Sequence, residues 1–349
     1  MEKKEIFARL PGALLPWYAQ NHRDLPWRKD KDPYHIWVSE IMLQQTRVEA
    51  VKGYYARFLK ALPTVADLAN ADDEQLHKLW EGLGYYSRVR NLKKAANRIM
   101  QVHNGIFPSS HREISELAGI GPYTAGAIGS IAFGLPTPAV DGNVLRVISR
   151  LTDDDTPIDK PAFRKEITEN LAAVYPENAG DFTQALMELG ATLCGPNRKP
   201  DCANCPCKDF CLGHERGREE ELPVKKSKPQ RRVEEKTVFI LSCDGFYALR
   251  KRPEKGLLAG LWEFPNVTGI KDISAAIKEV ERFGLNTKEI IRQVEKKHIF
   301  THIEWRMCGV YMEVKERAGD FAWMDAQTID REAALPTAFR QFWEEVRYV

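Results

Sequence analysis

Between Leu117 and Asp141 the chain reads Leu-Ala-Gly-Ile-Gly-Pro-Tyr-Thr-Ala, then an apolar run, then Val-Asp-Gly-Asn. The first part is a hairpin that can bind an anion without a charged side chain. Gly119 and Gly121 are free to take positive φ, and Pro122 suits the first turn of a helix running on through Ile131. Unpaired N–H groups at such a turn, helped by the helix dipole, suit a phosphate. A partner with a constant backbone and variable bases is what such a site would serve. Two carboxylates accompany the hairpin: Asp141, just downstream, and Glu40, within a helical pattern from Tyr34 to Gln45. Two carboxylates in unlike environments can divide acid and base roles. Taken singly, each also fits a plainer role, Glu40 as a solvated helix charge and Asp141 or Asn143 as the N-cap of a helix beginning near Asn143.

A second group able to do chemistry is the run Cys194-x7-Cys202-x2-Cys205-x5-Cys211. Four of the seven cysteines crowd into it while the rest of the chain has a cytosolic character, which favours a metal site over disulfides. A structural zinc is the plain alternative, although that usually needs two Cys-x2-Cys pairs and only one is present.

At 349 residues the chain has room for two cores. A net charge of +2 means that any nucleic-acid surface must be local. No segment approaches the ~20 apolar residues of a membrane span, and the start Met-Glu-Lys-Lys-Glu-Ile-Phe lacks a secretory apolar run, so a cytoplasmic protein with no membrane partner is expected. The pattern is helical through residues 1–214 and turns polar over a linker at 215–235 that cannot bury a core. Residues 236–349 then mix strand-like runs, Thr237–Ser242, Phe246–Arg252 and His302–Val314, with helices near Ser274–Phe283 and Ala338–Arg347.

The segment Ser39-Glu-Ile-Met-Leu-Gln-Gln-Thr, the hairpin, Val140-Asp-Gly-Asn and the cysteine run together resemble the endonuclease III superfamily of helix-hairpin-helix DNA glycosylases, and within it the MutY-type adenine DNA glycosylases. The likeness covers Pro11 to Val349. It implies a multi-domain fold, an all-α glycosylase domain followed by an α/β Nudix-like domain. In lyase members a lysine stands where this chain has Tyr123, and a phenol cannot form an imine, so the resemblance implies a monofunctional enzyme that uses water. Glu40 would be general acid and then base, Asp141 would stay ionised and stabilise the cationic sugar or form a transient adduct with it, and Tyr123 and Asn143 would position the pair. Gln45 would enter the base stack, Tyr85 would pack at the opposite base, and Trp27, Arg28, Leu43 and Gln184 would lie near an extruded adenine. Tyr85 or Tyr86 could as well be core, as could Trp27 and Leu43.

The same resemblance implies a [4Fe-4S] cluster on Cys194, Cys202, Cys205 and Cys211, with Arg198, Lys199 and Lys208 nearby. Here the first gap, Gly195 to Asp201, is one residue longer than the family's usual six, and Cys207 adds a fifth thiol. The second domain's helix carries Arg282 where a metal-binding acidic pair would need its second carboxylate, so lesion reading replaces hydrolysis, with Phe300, Thr301 and His302 recognising 8-oxoguanine. The implied partner is duplex DNA with adenine opposite 8-oxoguanine or guanine, bound by a monomer at the nucleoid. Competing readings are a T·G mismatch glycosylase and a noncatalytic damage-binding protein; the Nudix-like domain and Glu40 weigh against the first, intact Glu40 and Asp141 against the second.

Overall fold

The computed structural model describes residues 1–196, 198–226 and 230–346, and they form two compact units. Unit 1 comprises Met1–Asn70 with Asn91–Ser227, and unit 2 comprises Ala71–Arg90 with Lys228–Val349. No helix among the described residues is long and apolar enough to cross a membrane.

In chain order the helices of the first part are α1 (Lys3–Asn21), α2 (Pro33–Leu43), α3 (Val48–Ala61), α4 (Val65–Asn70), α5 (Asp73–Leu79), α6 (Ser87–Val102), α7 (His111–Ser115), α8 (Pro122–Phe133), α9 (Gly142–Leu151), α10 (Pro161–Ala172), α11 (Ala179–Thr192) and α12 (Leu212–Glu215). Local sequence sets their ends. Asp32 caps α2 through Tyr34 N, Pro33 and Pro122 open their helices, and Asp141 caps α9. Apolar faces of α1, α9, α10 and α11 close a core around Phe7, Leu14, Leu145, Ile148, Phe163, Phe182 and Leu186. Helix α8 is apolar all round, as a central helix should be. A Cβ on Gly126 would fall 2.1 Å from the Pro138 carbonyl oxygen, so only glycine lets the chain leading to Asp141 lie this close to α8.

Two expectations change here. The helix expected to reach Gln45 ends at Leu43, and Gln45 takes φ +60. Of the two hairpin glycines only Gly119 has positive φ, at +78; Gly121 is the N-cap of α8 at φ −91, because an N-cap residue takes extended backbone.

Unit 2 is built on a seven-stranded sheet: β1 (Arg232–Cys243), β2 (Phe246–Lys251), β3 (Trp262–Glu263), β4 (Asn266–Thr268), β5 (Thr287–Ile299), β6 (Ile303–Val314) and β7 (Ala322–Asp325). The order is β3-β2-β1-β6-β5, with β4 pairing β1 and β7 pairing β2; only β1 and β6 run parallel. Alternation along β1 sends Val238 and Ile240 to one face and Phe239 and Leu241 to the other. The first face packs on α14 (Ala326–Arg331) and α15 (Thr337–Val346) through Phe339, Phe342 and Trp343, the second on α13 (Ile273–Arg282) through Ala276 and Val280. Arg347, expected at the end of α15, lies outside the described residues. Strand β5 was not expected: a register shift between Ile290 and Arg292 sends Ile290 to one face of the sheet and Val294 to the other, and the charges at Lys288, Glu289, Glu295 and Lys297 hide what apolar alternation remains.

The expected domain borders differ from the compact units at two places. Residues 71–90 pack with unit 2, where Lys78 Nζ donates to Ala333 O (3.2 Å), Arg340 Nε and Leu335 N donate to Glu81 Oε1 (2.9 and 3.0 Å), and Arg90 Nη1 donates to Ala259 O (3.0 Å). The polar stretch after 214 is not a free linker as far as 226. Leu222 is 1% exposed, Arg150 Nε donates to Leu222 O (2.9 Å), Ile158 N donates to Val224 O (3.0 Å), and Asp153 accepts from Arg216 and Arg218. Replacing Leu222 by Ala should therefore cost unit 1 about 2–4 kcal/mol in urea unfolding, whereas a residue in a free linker would cost nothing measurable.

Candidate active site

Unit 1 encloses a cavity of about 900 Å³ whose wall includes Trp27, Arg28, Glu40, Leu43, Gln45, Tyr123, Asp141, Asn143 and Gln184. Nine of the expected site residues thus meet at one place, supplied by α2, α8, α9 with its N-cap, α11 and the segments on either side of α2. Trp27, 7% exposed and edge-on to Tyr55, is core and cavity wall at once, whereas Leu43 is a half-buried wall residue.

The Tyr123 hydroxyl donates to Glu40 Oε2 at 2.6 Å. Glu40 is 6% exposed, and burial, with the Asp141 charge adding to it, pushes its carboxyl up to about 7 against the pull of the Tyr123 hydrogen bond and Arg28. Burial and the two neighbouring carboxylates push the Tyr123 phenol well above its usual range, so it stays a donor. With Oε2 accepting from Tyr123, a proton on Glu40 sits on Oε1. Asp141 is both N-cap and site residue: Oδ1 accepts from Val144 N (2.8 Å) and Oδ2 from Asn143 Nδ2 (2.7 Å). Burial pushes it up, and those hydrogen bonds and Arg146 oppose the rise. Arg146 fixes the Asn143 amide by donating to Oδ1 (2.8 Å), and it is itself held by Gly190 O (2.7 Å) and Cys194 O (2.9 Å).

Three residues of this site carry no motif and were not anticipated. Glu188, fully buried on α11, accepts from Arg23 Nε (2.7 Å), Arg23 Nη2 (3.0 Å) and Arg28 Nη2 (2.8 Å), while Met187 Sδ stands 3.8 Å from the Tyr123 hydroxyl. A charged residue four positions after Gln184, within the apolar run Ala185–Ala191, was the available signal for Glu188.

Unit 2 gathers four more expected site residues, Tyr85, Phe300, Thr301 and His302. Tyr85, 48% exposed at φ +47, places its hydroxyl 2.5 Å from Thr301 Oγ1, and Tyr86 is the core member of the pair at 5%. Phe300 turns inward onto Trp305 (4.8 Å between centroids) and His298 (4.6 Å), which leaves Thr301 and His302 exposed on the β5–β6 turn. Arg282 pairs with Glu279 (2.7 Å).

Cys194, Cys202, Cys205 and Cys211 line one small cavity with Arg150, His214 and Glu219; Cys207 is fully buried outside it, its thiol hydrogen-bonded to that of Cys205. All four are free thiols, and Arg150 Nη1 lies 3.2 Å from Cys194 Sγ, a cation placed to offset thiolate charge. Four soft donors around one space fit an iron-sulfur cluster, and the longer first gap does not remove Cys194 from the set.

Residues 38–173 match the family model described as HhH-GPD superfamily base excision DNA repair protein, and residues 237–345 match that of the NUDIX domain. The adenine DNA glycosylase of Rattus norvegicus is 37% identical over 96% of this chain and 74% of its own length. The chain belongs to the adenine DNA glycosylases. The adenine DNA glycosylase of Arabidopsis thaliana is 39% identical over 86% of the chain, which spans 56% of that relative's length. A solved thermostable thymine-DNA glycosylase superposes with a TM-score of 0.53 at 28% identity, covering 61% of this chain and 97% of its own. The enzyme is thus a DNA glycosylase, an α-helical glycosylase part joined to a Nudix-like part.

A carboxyl raised by burial makes folding pH-dependent. Glu40 ionises near 4.5 when unfolded and near 7 when folded, so the stability associated with its proton is complete below about 4.5 and is lost as pH rises through about 7. The Glu40→Gln protein should be more stable than the native enzyme at pH 8, by on the order of 3 kcal/mol, and nearly equal to it below pH 4.5, as read from urea midpoints at the two pH values.

Proposed function

We propose that this glycosylase excises adenine opposite 8-oxoguanine or guanine in duplex DNA, hydrolysing the N-glycosidic bond and leaving the strand uncut. The observation that carries this reading is the buried Glu40 carboxyl, raised to about 7 and held by the Tyr123 hydroxyl at 2.6 Å, with Asp141 on the same cavity. An adenine must leave the stack to enter that cavity, and Gln45 would fill the gap, a role supported by its exposure and by a left-handed conformation that a non-glycine residue rarely adopts. Trp27, Arg28, Leu43 and Gln184 supply the walls.

Glu40 Oε1 gives its proton to a ring nitrogen of the base, and the bond from that base to C1′ breaks with its electron pair going to the base. The sugar cation that forms is met by the Asp141 carboxylate, whose charge is supported by Val144 N, Asn143 and Arg146. Glu40, now ionised, takes a proton from the water that adds to C1′. Tyr123 offers no amine for an imine, so no lyase step follows. Gly121 leaves the hairpin open to a DNA phosphate, with no atom within 4 Å of a Cβ built on it, while Gly119 makes the turn at φ +78 against Asn91, where a Cβ would fall 2.6 Å from the Asn91 Cβ. Opposite the adenine, Thr301 and Tyr85 present paired hydroxyls that can meet the N7–H which 8-oxoguanine has and guanine lacks. Cys194, Cys202, Cys205 and Cys211 would hold a [4Fe-4S] cluster that braces the loop after α11, with no part in the proton steps.

Duplexes carrying A opposite 8-oxoguanine, A opposite G and T opposite G, each strand labelled and abasic sites opened with alkali, test the reading. Adenine release from the first two, with no cleavage before alkali, is expected; thymine release would favour a T·G enzyme, and binding without release a damage-binding protein. Glu40→Gln should lower adenine release by at least roughly a thousandfold while duplex affinity is kept. Thr301→Val should narrow the preference for A·8-oxoguanine over A·G in single-turnover rates; an unchanged ratio would take Thr301 out of lesion reading.

A further inference from the structure

Among the described residues lining the cavity, Glu188 is a fully buried carboxylate that neither the hairpin nor the acid–base steps use. Its Oε1 accepts from Arg23 N (3.1 Å) and Arg23 Nε (2.7 Å), and its Oε2 from Arg23 Nη2 (3.0 Å) and Arg28 Nη2 (2.8 Å). Arg28 Nη1 closes the group by donating to Arg23 O at 3.1 Å. Both arginines and Glu188 line the same cavity as Glu40. Two guanidiniums around one carboxylate leave a single net positive charge beside an acid that must hold a proton.

We infer that Glu188 is a positioning residue that sets the charge of the base pocket, fixing both guanidiniums and cancelling one of their charges so that Glu40 keeps its proton. The inference rests on the acid role proposed for Glu40. The groups facing Glu40 are Tyr123 from α8, Asp141 from the start of α9 and Arg28 from the segment before α2; Arg23, Glu188 on α11, His111 on α7 and Arg164 on α10 line the same cavity. Asp141 favours the protonated form, and Arg28 favours the ionised one. Without the Glu188 charge the pull of Arg28, joined by the Arg23 cation on the same cavity, is countered by Asp141 alone, and the direction of the effect follows from Coulomb's law. A clamp that served only packing would alter stability without moving the titration of Glu40 in a charge-dependent direction.

Single-turnover adenine release should be followed from about pH 5.5 to about pH 9 in the native enzyme, Glu188→Gln, Arg23→Gln and the double variant. Glu188→Gln should move the limb where activity falls with rising pH downward, and Arg23→Gln should move it upward, each on the order of half a unit to one unit. The double variant should return toward the native limb. Unmoved limbs, or shifts in the same direction, would overturn the inference. Should Glu188→Gln fail to fold, Arg23→Gln decides by its sign, because the Arg23 side chain is 37% exposed and its loss is easier to bear. The titration of Glu40 is also measurable without turnover, from the pH dependence of the stability difference between each protein and its Glu40→Gln counterpart. Absence of adenine release by the native enzyme would thus count against the proposed function, while this difference would still judge Glu188.

Discussion

A carboxylic acid kept out of water is the constraint around which unit 1 is arranged. Removing water from Glu40 raises its carboxyl, and the Tyr123 hydroxyl then chooses which oxygen is free to carry the proton. A solvated glutamate would be ionised at neutral pH and could not act as an acid. Dryness requires close walls, which is why α2 places Ile36, Trp37, Val38 and Ile41 in the core around Glu40 and why α8 is apolar on every side.

The second carboxylate is treated differently. Asp141 caps α9, so backbone and amide donors already address both of its oxygens, and the helix N-terminus adds a favourable field for negative charge. Its approach to α8 depends on Gly126, whose missing side chain lets the Pro138 carbonyl come close. Arg146 ties Asn143 to the chain around Cys194, so the loop that carries the cysteines also steadies the amide against Asp141. Unit 2 solves a separate problem with a separate device, a β turn whose Phe300 is anchored on Trp305 while Thr301 faces outward to meet Tyr85.

Much of this was legible in the order of residues. Hairpin, Val-Asp-Gly-Asn and cysteine run are contiguous, so their spacing shows, and it is the resemblance to lyases carrying a lysine at that place that singles out Tyr123. The plain reading of Asp141 as a helix cap holds, and the same side chain also stands on the cavity wall beside Glu40. What could not be read depends on contacts distant in sequence. Glu188 and Arg23 are 165 positions apart and meet only after folding. Strand β5 hides its apolar alternation among charges, and residues 71–90 look like one more helical stretch until their hydrogen bonds to Ala333, Leu335 and Ala259 assign them to unit 2. Gln45 reads as the end of a helix, whereas its left-handed backbone is imposed by the turn that follows Leu43.

The protonation of Glu40 is the point on which the chemistry turns. Infrared difference spectra of the native enzyme against Glu40→Gln, recorded across neutral pH, isolate the carbonyl stretch of a protonated Glu40 carboxyl. A protonated band that disappears with a midpoint near pH 7 is the expected result. A Glu40 already ionised above about pH 5, as an ordinary glutamate would be, would contradict it.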